Sequence, residues 1–578
     1  MSPSKLVARL FGRKAARRNA RKAGAARPAV AVRRDAGRGR IGLAMFAFTA
    51  VFVVIGGRLA VLGMTAPTPS AAWRTAQDAV AATRPDILDR NGEILATDLR
   101  SVSLFAEPRK VIDADEAVEL LSSILPELGN EATRHKLASN AGFVWLKREL
   151  SPSVQRQIHD LGLPGIGFLV EKKRFYPGGN VAGHILGAVN VDNQGISGVE
   201  KTIDGQGLSD LHALGFAQTR NLEPVKLSID LRVQHVVRDE ILRAVDRYQA
   251  LFGVGIVLDV ETGEVLAMTS VPDYDPNDPV QALDKDRMNR ATAGVFELGS
   301  VFKMFTLAAA LDSGVATMTS TVDASRPLHL GRFTIKDFHG KGRVLTFPEI
   351  FIYSSNIGTG RLALALGQQR HPGYFARFGF LKRLSTDLPE VGAPIVPNQW
   401  KDVTLVTTAF GHGISVSPLS AVSASAALVN GGRLIPPTFF PRSKEAADKL
   451  ATQVVSPQTS DAMRVLFRMN AEKGSGRNAE VKGYRVGGKT GTAEKVVNGR
   501  YSHDKNRNSF LAAFPMDKPR YIVFVMLDEP KPDRFKGGGR TAGLNAAPTV
   551  AAIIRRTAAM LGVEPRFDDP TAPLLVSY

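Results

Sequence analysis

The chain has 578 residues, of which 44% are apolar and 22% charged. At about 150 residues per domain that is room for three or four folding units of globular composition, which excludes a disordered or collagenous chain. Cysteine is absent, so disulfides, thiolate metal sites and a cysteine nucleophile are excluded, and an oxidising compartment is tolerated. The net charge of +19 is concentrated: residues 1–40 carry thirteen Lys/Arg against the single acid Asp35, so a basic chain here means a basic tail.

That tail, from Lys5 to Arg40, is spaced by alanine and glycine. It holds nothing that builds a core and is expected to be disordered. Ile41–Met64 follows, with Arg58 as its one charge. A helix of that length reaches about 36 Å, enough for a hydrocarbon core of about 30 Å, and Arg58 sits near one end, where it can snorkel outward. Small residues after it, at Ala66 and Ser70–Ala72, admit a cleaved signal peptide. The long basic segment and long apolar run favour a retained anchor. The positive-inside rule then keeps the tail in the cytoplasm and places everything after Met64 outside, away from ATP and NAD.

Residues 65–225 are expected to be mixed α and β with many breaks. Val102–Ala106 alternates like a strand, and Asp115–Leu125 is amphipathic and ends before Pro126. From Val225 the pattern changes. Asp230 is placed to N-cap a helix reaching about Tyr248. Val254–Val260 and Glu264–Ser270 flank a Glu261-Thr262-Gly263 turn as a hairpin. The run from Ser300 to Leu311 suits a buried helix, and Tyr521–Leu527 is apolar throughout, as a central strand is. No repeat period is visible.

Three short motifs occur in order: Ser300-Val301-Phe302-Lys303, Ser354-Ser355-Asn356 and Lys489-Thr490-Gly491-Thr492. Each alone is commonplace: a helix surface, a turn, a hairpin end. S-x-x-K also begins at Ser2, in the tail, and at Ser502, in a polar stretch expected to be a loop; only Ser300 follows a glycine and opens an apolar helix. There, free N–H groups and the helix dipole favour developing negative charge. Lys303 lies one turn on, and burial would lower its pKa until it can take the Ser300 proton. Ser354 suits a proton relay and Asn356 a substrate amide. Lys489 and the Thr490 hydroxyl suit a carboxylate, and Gly491 on an edge strand admits a peptide backbone. The N–H groups of Ser300 and Thr492 are candidates for an oxyanion hole.

This ordered set resembles that of the penicillin-binding proteins and related serine β-lactamases. Arg84–Ala96, Arg174–Pro177 and Gly195–Glu200 resemble the pedestal segments of class B members, with Pro85 where the family usually has glycine. Asn289-Arg290-Ala291 and Phe296–Ser300 resemble the entry to the nucleophile, with Leu298 in place of a frequent proline. Lys482–Arg485 and Gly499-Arg500-Tyr501 are most similar to the division-specific branch. The likeness covers about residues 84–560.

The resemblance implies an α/β (α+β) fold: a transmembrane helix (41–64), a non-catalytic pedestal (65–225) and a transpeptidase domain (226–565), between tails 1–40 and 566–578. That domain would hold a central antiparallel sheet and an all-helical lobe. The activity implied is peptidoglycan D,D-transpeptidation at the septum through a Ser300 acyl-enzyme, without cofactor or metal. Implied partners are a stem pentapeptide ending in D-Ala-D-Ala, an acceptor stem, β-lactams, and a polytopic septal glycan polymerase with its activators. The implied place is the bacterial inner membrane, with the catalytic domain periplasmic.

Rival readings are few. Gly483–Thr490 matches a P-loop literally, and Tyr521–Leu527 with Asp528-Glu529 resembles its acidic strand. The segment after Thr490, however, has the pattern of a strand and turn, where a P-loop needs a helix. A β-lactamase needs a deacylating carboxylate, and no Glu-x-x-x-Asn segment lies between Asn356 and Lys489. A penicillin sensor needs a signalling domain that 40 basic residues do not provide. An elongation-specific transpeptidase would share all the chemistry. The tail lacks aromatic interleaving, so anionic lipid is a plainer partner than nucleic acid. Ten histidines show no metal-ligand spacing.

Overall fold

The computed structural model describes residues 45–58, 84–205, 222–497 and 499–567. The basic tail and nearly all of 566–578 lie outside them. Residues 45–58 are helical, and their apolar side chains, Phe46, Phe48, Phe52 and Val54 among them, are exposed. Among the described residues no helix is long and apolar enough to cross a membrane; the expected span Ile41–Met64 runs past this helix at both ends.

The pedestal is built on a long bent strand. β1 (Ile87–Leu88) pairs antiparallel with the start of β2 (Ile94–Ala106). α1 (Ala114–Ile124) follows, its first N–H groups capped by the Asp113 carboxylate. β3 (Val144–Leu150) and β4 (Ile166–Phe175) then pair antiparallel with β2. Leu104, Ala106, Leu121 and Ile158 form a small core of their own there. The base of the pedestal behaves differently. Ile87, Leu95, Tyr176 and Val199 (on α2, Gly198–Ile203) join the same apolar cluster as the large domain. β5 (Val225–Lys226) pairs parallel with β1 and carries the chain across.

The large domain opens with α3 (Leu231–Arg247), N-capped by Asp230. The expected hairpin is β6 (Phe252–Asp259) and β7 (Val265–Val271). Three late strands complete an antiparallel sheet: β8 (Gly487–Val497), β9 (Arg500–Phe514) and β10 (Tyr521–Asp528), in the order β8-β9-β10-β6-β7. β10 is central and β8 an edge. Side chains alternate between two cores, as a period of two requires. Ile522, Phe524 and Met526 face one apolar cluster; Val523, Val525 and Leu527 face the other, with Val237 and Ile241 of α3. Helices on both faces explain why β10 is apolar throughout instead of alternating.

The helical lobe lies on the first face. It comprises a 3-10 turn (Gly299–Phe302) leading into α4 (Lys303–Asp312), then α5 (Phe347–Ile352), α6 (Asn356–Arg377, broken at Gly367) and α7 (Asp402–Ala409). α8 (Pro418–Ala426) and α9 (Pro457–Lys473) pack behind, and α10 (Ala546–Thr557) covers the second face. One expectation is corrected. Ser502 lies in β9, opposite Lys495, and not in a loop. The β8–β9 hairpin runs on past the core, so its backbone pairs while its side chains need not be apolar.

Candidate active site

Ser300 does not begin an ordinary α-helix. It is half-buried in the 3-10 turn, one residue after Gly299 (φ +54°). Val301, Phe302, Met304 and Phe305 are wholly buried and anchor the turn. The turn is pressed onto the edge strand: a Cβ on Gly299 would stand 2.6 Å from the Thr492 carbonyl oxygen, and one on Gly491 would stand 2.4 Å from that of Leu298. Backbone meets backbone here, which is why both positions are glycine. The Ser300 N–H lies in the first turn, without an intrahelical acceptor ahead of it. Thr492 is therefore beside the nucleophile turn, though 192 positions along the chain.

Lys303, the first residue of α4, and Lys489, on β8, are buried to 1% and 0%. Their side chains come from opposite walls and meet at one atom. Lys303 Nζ and Lys489 Nζ each lie 3.0 Å from Ser354 Oγ. Lys303 also donates to the Ser354 carbonyl, and Lys489 donates to the Thr490 carbonyl at 3.2 Å. The ammonium groups can thus stand no more than about 6 Å apart, where two unit charges repel by about 3 kcal/mol at an effective dielectric of 20. Burial and this repulsion hold Lys303 well below the usual lysine range, with the Asp337 charge opposing. Burial brings Lys489 down to about 7. A neutral amine and an ammonium sharing a hydroxyl can move a proton between them.

Ser354 adopts φ +54°, a region that costs a non-glycine residue about 1–3 kcal/mol and persists only where surroundings enforce it. Ser355 follows as the N-cap of α6, accepting from Gly358 N at 2.9 Å. Asn356 is the first residue of α6, its side chain donating to the Lys336 carbonyl at 2.9 Å. On β8, Lys489 faces the lobe. The Thr490 hydroxyl lies 2.5 Å from Ser475 Oγ. The Thr492 hydroxyl accepts from Ala542 N at 3.5 Å.

The motif residues are therefore assembled from three places in the chain. Several neighbours lie outside the three motifs. Glu297 accepts from Gly413 N at 2.7 Å and from the Tyr501 hydroxyl at 3.1 Å, and burial raises its pKa. His412 stacks on Tyr501 at 5.0 Å between ring centres. Burial lowers its pKa, the Lys303 charge adding to the effect. Asp337 and Ser475 are silent in the sequence. No group of three or more His, Asp or Glu among the described residues could hold a metal ion.

The P-loop alternative is not compatible with this geometry. Gly487–Val497 is one continuous strand, so no helix N-terminus follows Lys489-Thr490 to receive a phosphate.

Comparison with known proteins gives a consistent picture. A family model of the penicillin-binding protein transpeptidase domain matches residues 253–555, and one of the penicillin-binding protein dimerisation domain matches 79–206. The chain is 40% identical over 498 residues to the probable peptidoglycan D,D-transpeptidase FtsI of Caulobacter vibrioides, covering 83% of this chain and 82% of that one. It is 30% identical over 525 residues to the peptidoglycan D,D-transpeptidase FtsI of Escherichia coli K12, covering 84% and 85%. In fold it is similar to penicillin-binding protein 3 of Mycobacterium tuberculosis, crystallised with aztreonam, with a TM-score of 0.64 at 24% identity over 86% of this chain and 99% of that one.

Proposed function

Because this chain belongs to the class B penicillin-binding protein transpeptidases, we propose that it cross-links septal peptidoglycan through an acyl-enzyme on Ser300. The observation that carries this reading is the convergence of Lys303 and Lys489 on the Ser354 hydroxyl beside the Ser300 turn. It supplies a neutral base, a relay and a cation in one buried place.

In this mechanism Ser300 Oγ attacks the carbonyl carbon of the penultimate D-alanine, and its proton passes to Lys303 Nζ. The N–H groups of Ser300 and Thr492 receive the oxyanion. The tetrahedral species collapses, the peptide C–N bond breaks, and the terminal D-alanine leaves with a proton delivered through Ser354. The amine of an acceptor stem then attacks the ester and loses a proton to the same relay, and Ser300 recovers its own. Lys489 and Thr490 hold the terminal carboxylate, Gly491 admits the stem backbone, and Asn356 binds its amide. A β-lactam acylates Ser300 in the same way but carries no leaving group that departs.

The layout proposed with it is a cytoplasmic tail (1–40) against anionic lipid, a membrane anchor (41–64), a periplasmic pedestal (65–225) and the catalytic domain (226–565). The exposed apolar side chains of 45–58 support the anchor. A membrane-embedded glycan polymerase and activators of division would engage the anchor and pedestal. The test is covalent labelling. Full-length protein in detergent is incubated with a fluorescent penicillin beside Ser300→Ala and run on a denaturing gel. A stable band in wild type that is absent from the variant is expected; a band that persists in Ser300→Ala would sink the assignment. A fluorescent fusion gathering at midcell is the expected outcome for septal action, and dispersal along the side wall the contrary one.

A further inference from the structure

The relay depends on a turn that α5 holds from one side, the Phe351 carbonyl accepting from Ser354 N at 3.2 Å and the Ile350 carbonyl from Ser355 N at 3.0 Å. Ser354 sits at φ +54°, and the lysines that engage it restrain only its hydroxyl and carbonyl. The other side of the turn is held by the segment 336–337, which enters from the loop ahead of α5. Asp337 Oδ2 accepts from the Ser355 hydroxyl at 2.7 Å, and Asp337 Oδ1 accepts from Ile357 N at 2.9 Å. The carbonyl of the preceding residue, Lys336, accepts from Asn356 Nδ2 at 2.9 Å. Three consecutive residues after Ser354 are thus pinned by two consecutive residues of one loop. The contact with Ser355 does a second thing. By accepting the Ser355 O–H hydrogen bond, Asp337 leaves a lone pair of that hydroxyl facing Gly358 N, the N-cap bond of α6. Ser355 is wholly buried.

We propose that Asp337 is a positioning residue of the transpeptidase reaction, holding Ser355–Ile357 so that the Ser354 hydroxyl stays between the two lysines and Asn356 stays at the cleft. This rests on the reading of Ser354 as the proton relay. Asp337 does not touch the reacting atoms; it acts through the turn. Its charge has a further consequence. The titratable groups that act on Lys303 are Lys489 on β8, which lowers its pKa, and Asp337, which raises it; His412, after α7, senses Lys303 in turn. Removing the Asp337 charge therefore lets Lys303 become neutral at a lower pH. A brace that was only structural would not move that limb.

The test measures acylation of the full-length protein by a fluorescent penicillin between pH 5 and pH 10, with thermal unfolding in parallel. Asp337→Asn keeps the shape and one acceptor but loses the charge. It is expected to acylate about 10- to 100-fold more slowly, the scale of a misplaced catalytic group, and its acid limb should move to lower pH. Ser355→Ala cuts the brace but keeps the charge, so it should slow acylation and leave the limb in place. That variant also answers the case in which Asp337→Asn fails to fold. Wild-type rates with a wild-type pH profile in Asp337→Asn overturn the proposal. So does a loss in proportion to the unfolded fraction with the limb unmoved. Ser300→Ala run alongside separates the two levels: if it still labels, the reading of the site fails and the proposal with it; if it does not, a failure belongs to Asp337 alone.

Discussion

Lys303 and Lys489 reach the same oxygen from opposite walls of the cleft, each 3.0 Å from Ser354 Oγ. Such an arrangement is costly to the fold. Lys489 is held at about 7 against 10.5 for a free side chain. Above the unfolded value neither state is charged and burial costs nothing. As pH falls through 10.5 the unfolded chain binds a proton that the native one refuses, and the penalty grows until pH 7, to about 5 kcal/mol at most. Lys489→Met is therefore expected to melt higher than wild type at pH 7, by about 2 °C or more, with the gap narrowing toward pH 10. The same variant should lose penicillin labelling. A lower Tm at pH 7 would show that the hydrogen bonds of Lys489 outweigh its desolvation.

Ser354 is expected to separate chemistry from stability in another way. Ser354→Ala removes the shared hydroxyl while leaving both lysines in place. Acylation should fall by about 10²–10⁴, the usual yield of a positioned acid–base group. Because alanine is no easier to hold at positive φ than serine, Tm should change little. Equal labelling rates in wild type and Ser354→Ala would remove the relay from the mechanism.

Gly299 tests the contact between the nucleophile turn and the edge strand. Alanine there meets both a left-handed backbone and a Cβ at 2.6 Å from the Thr492 carbonyl oxygen. Neither neighbour is a flexible side chain, so the turn must move. Gly299→Ala should lose labelling at least about 100-fold, because a shift of about 1 Å suffices for that, while retaining most of its helical circular dichroism. Unimpaired labelling would mean that the turn tolerates displacement.

What could be read from the sequence was whatever a local pattern enforces. Tyr521–Leu527 announces a central strand because both of its faces are buried, and Asp230 announces a helix start because a carboxylate there satisfies orphan N–H groups. Ser300 and Lys303 are one helical turn apart, so their proximity is local too. Asp337 is different. It lies 17 positions before Ser354 in a polar loop, and only the packing of that loop against α6 brings it to the turn. Glu297 and Tyr501 likewise meet across 204 positions. Ser502 falls in a strand because the tip of its hairpin pairs only with itself, beyond the segment of β9 that joins β10, where no core imposes a hydrophobic period.

The base of the pedestal is knit together by one carboxylate. Glu200 is wholly buried and bonds Arg84 Nε at 2.8 Å, Arg174 Nε at 2.7 Å and the Tyr176 hydroxyl at 3.2 Å. Asp204 and Asp98 complete the network. Glu200→Ala would leave two guanidinium groups buried and under-compensated, at a cost of about 3–5 kcal/mol. The expected result is a lower Tm, with labelling per folded molecule unchanged, since no member of the network reaches Ser354. Labelling that fell at constant folded fraction would tie the pedestal directly to the site.

His371 contributes to the loss of stability in acid. It is fully buried among Phe375 and Trp400, its Nδ1 has no hydrogen-bond partner among the described residues, and burial lowers its pKa to about 3 from 6.5. Above pH 6.5 the ring is neutral in both states and costs nothing. Below it the unfolded chain takes up a proton that the native one excludes, so stability falls by about 1.4 kcal/mol per pH unit, down to about pH 3. His184 and His412 are shifted in the same direction and steepen the decline. His371→Phe removes the largest of these contributions without adding a charge. Urea unfolding of wild type and His371→Phe at pH 7, 6, 5 and 4 should give curves whose stability difference grows in favour of the variant as pH falls. A constant difference would mean that His371 is protonated in the native protein and has a partner for its charge.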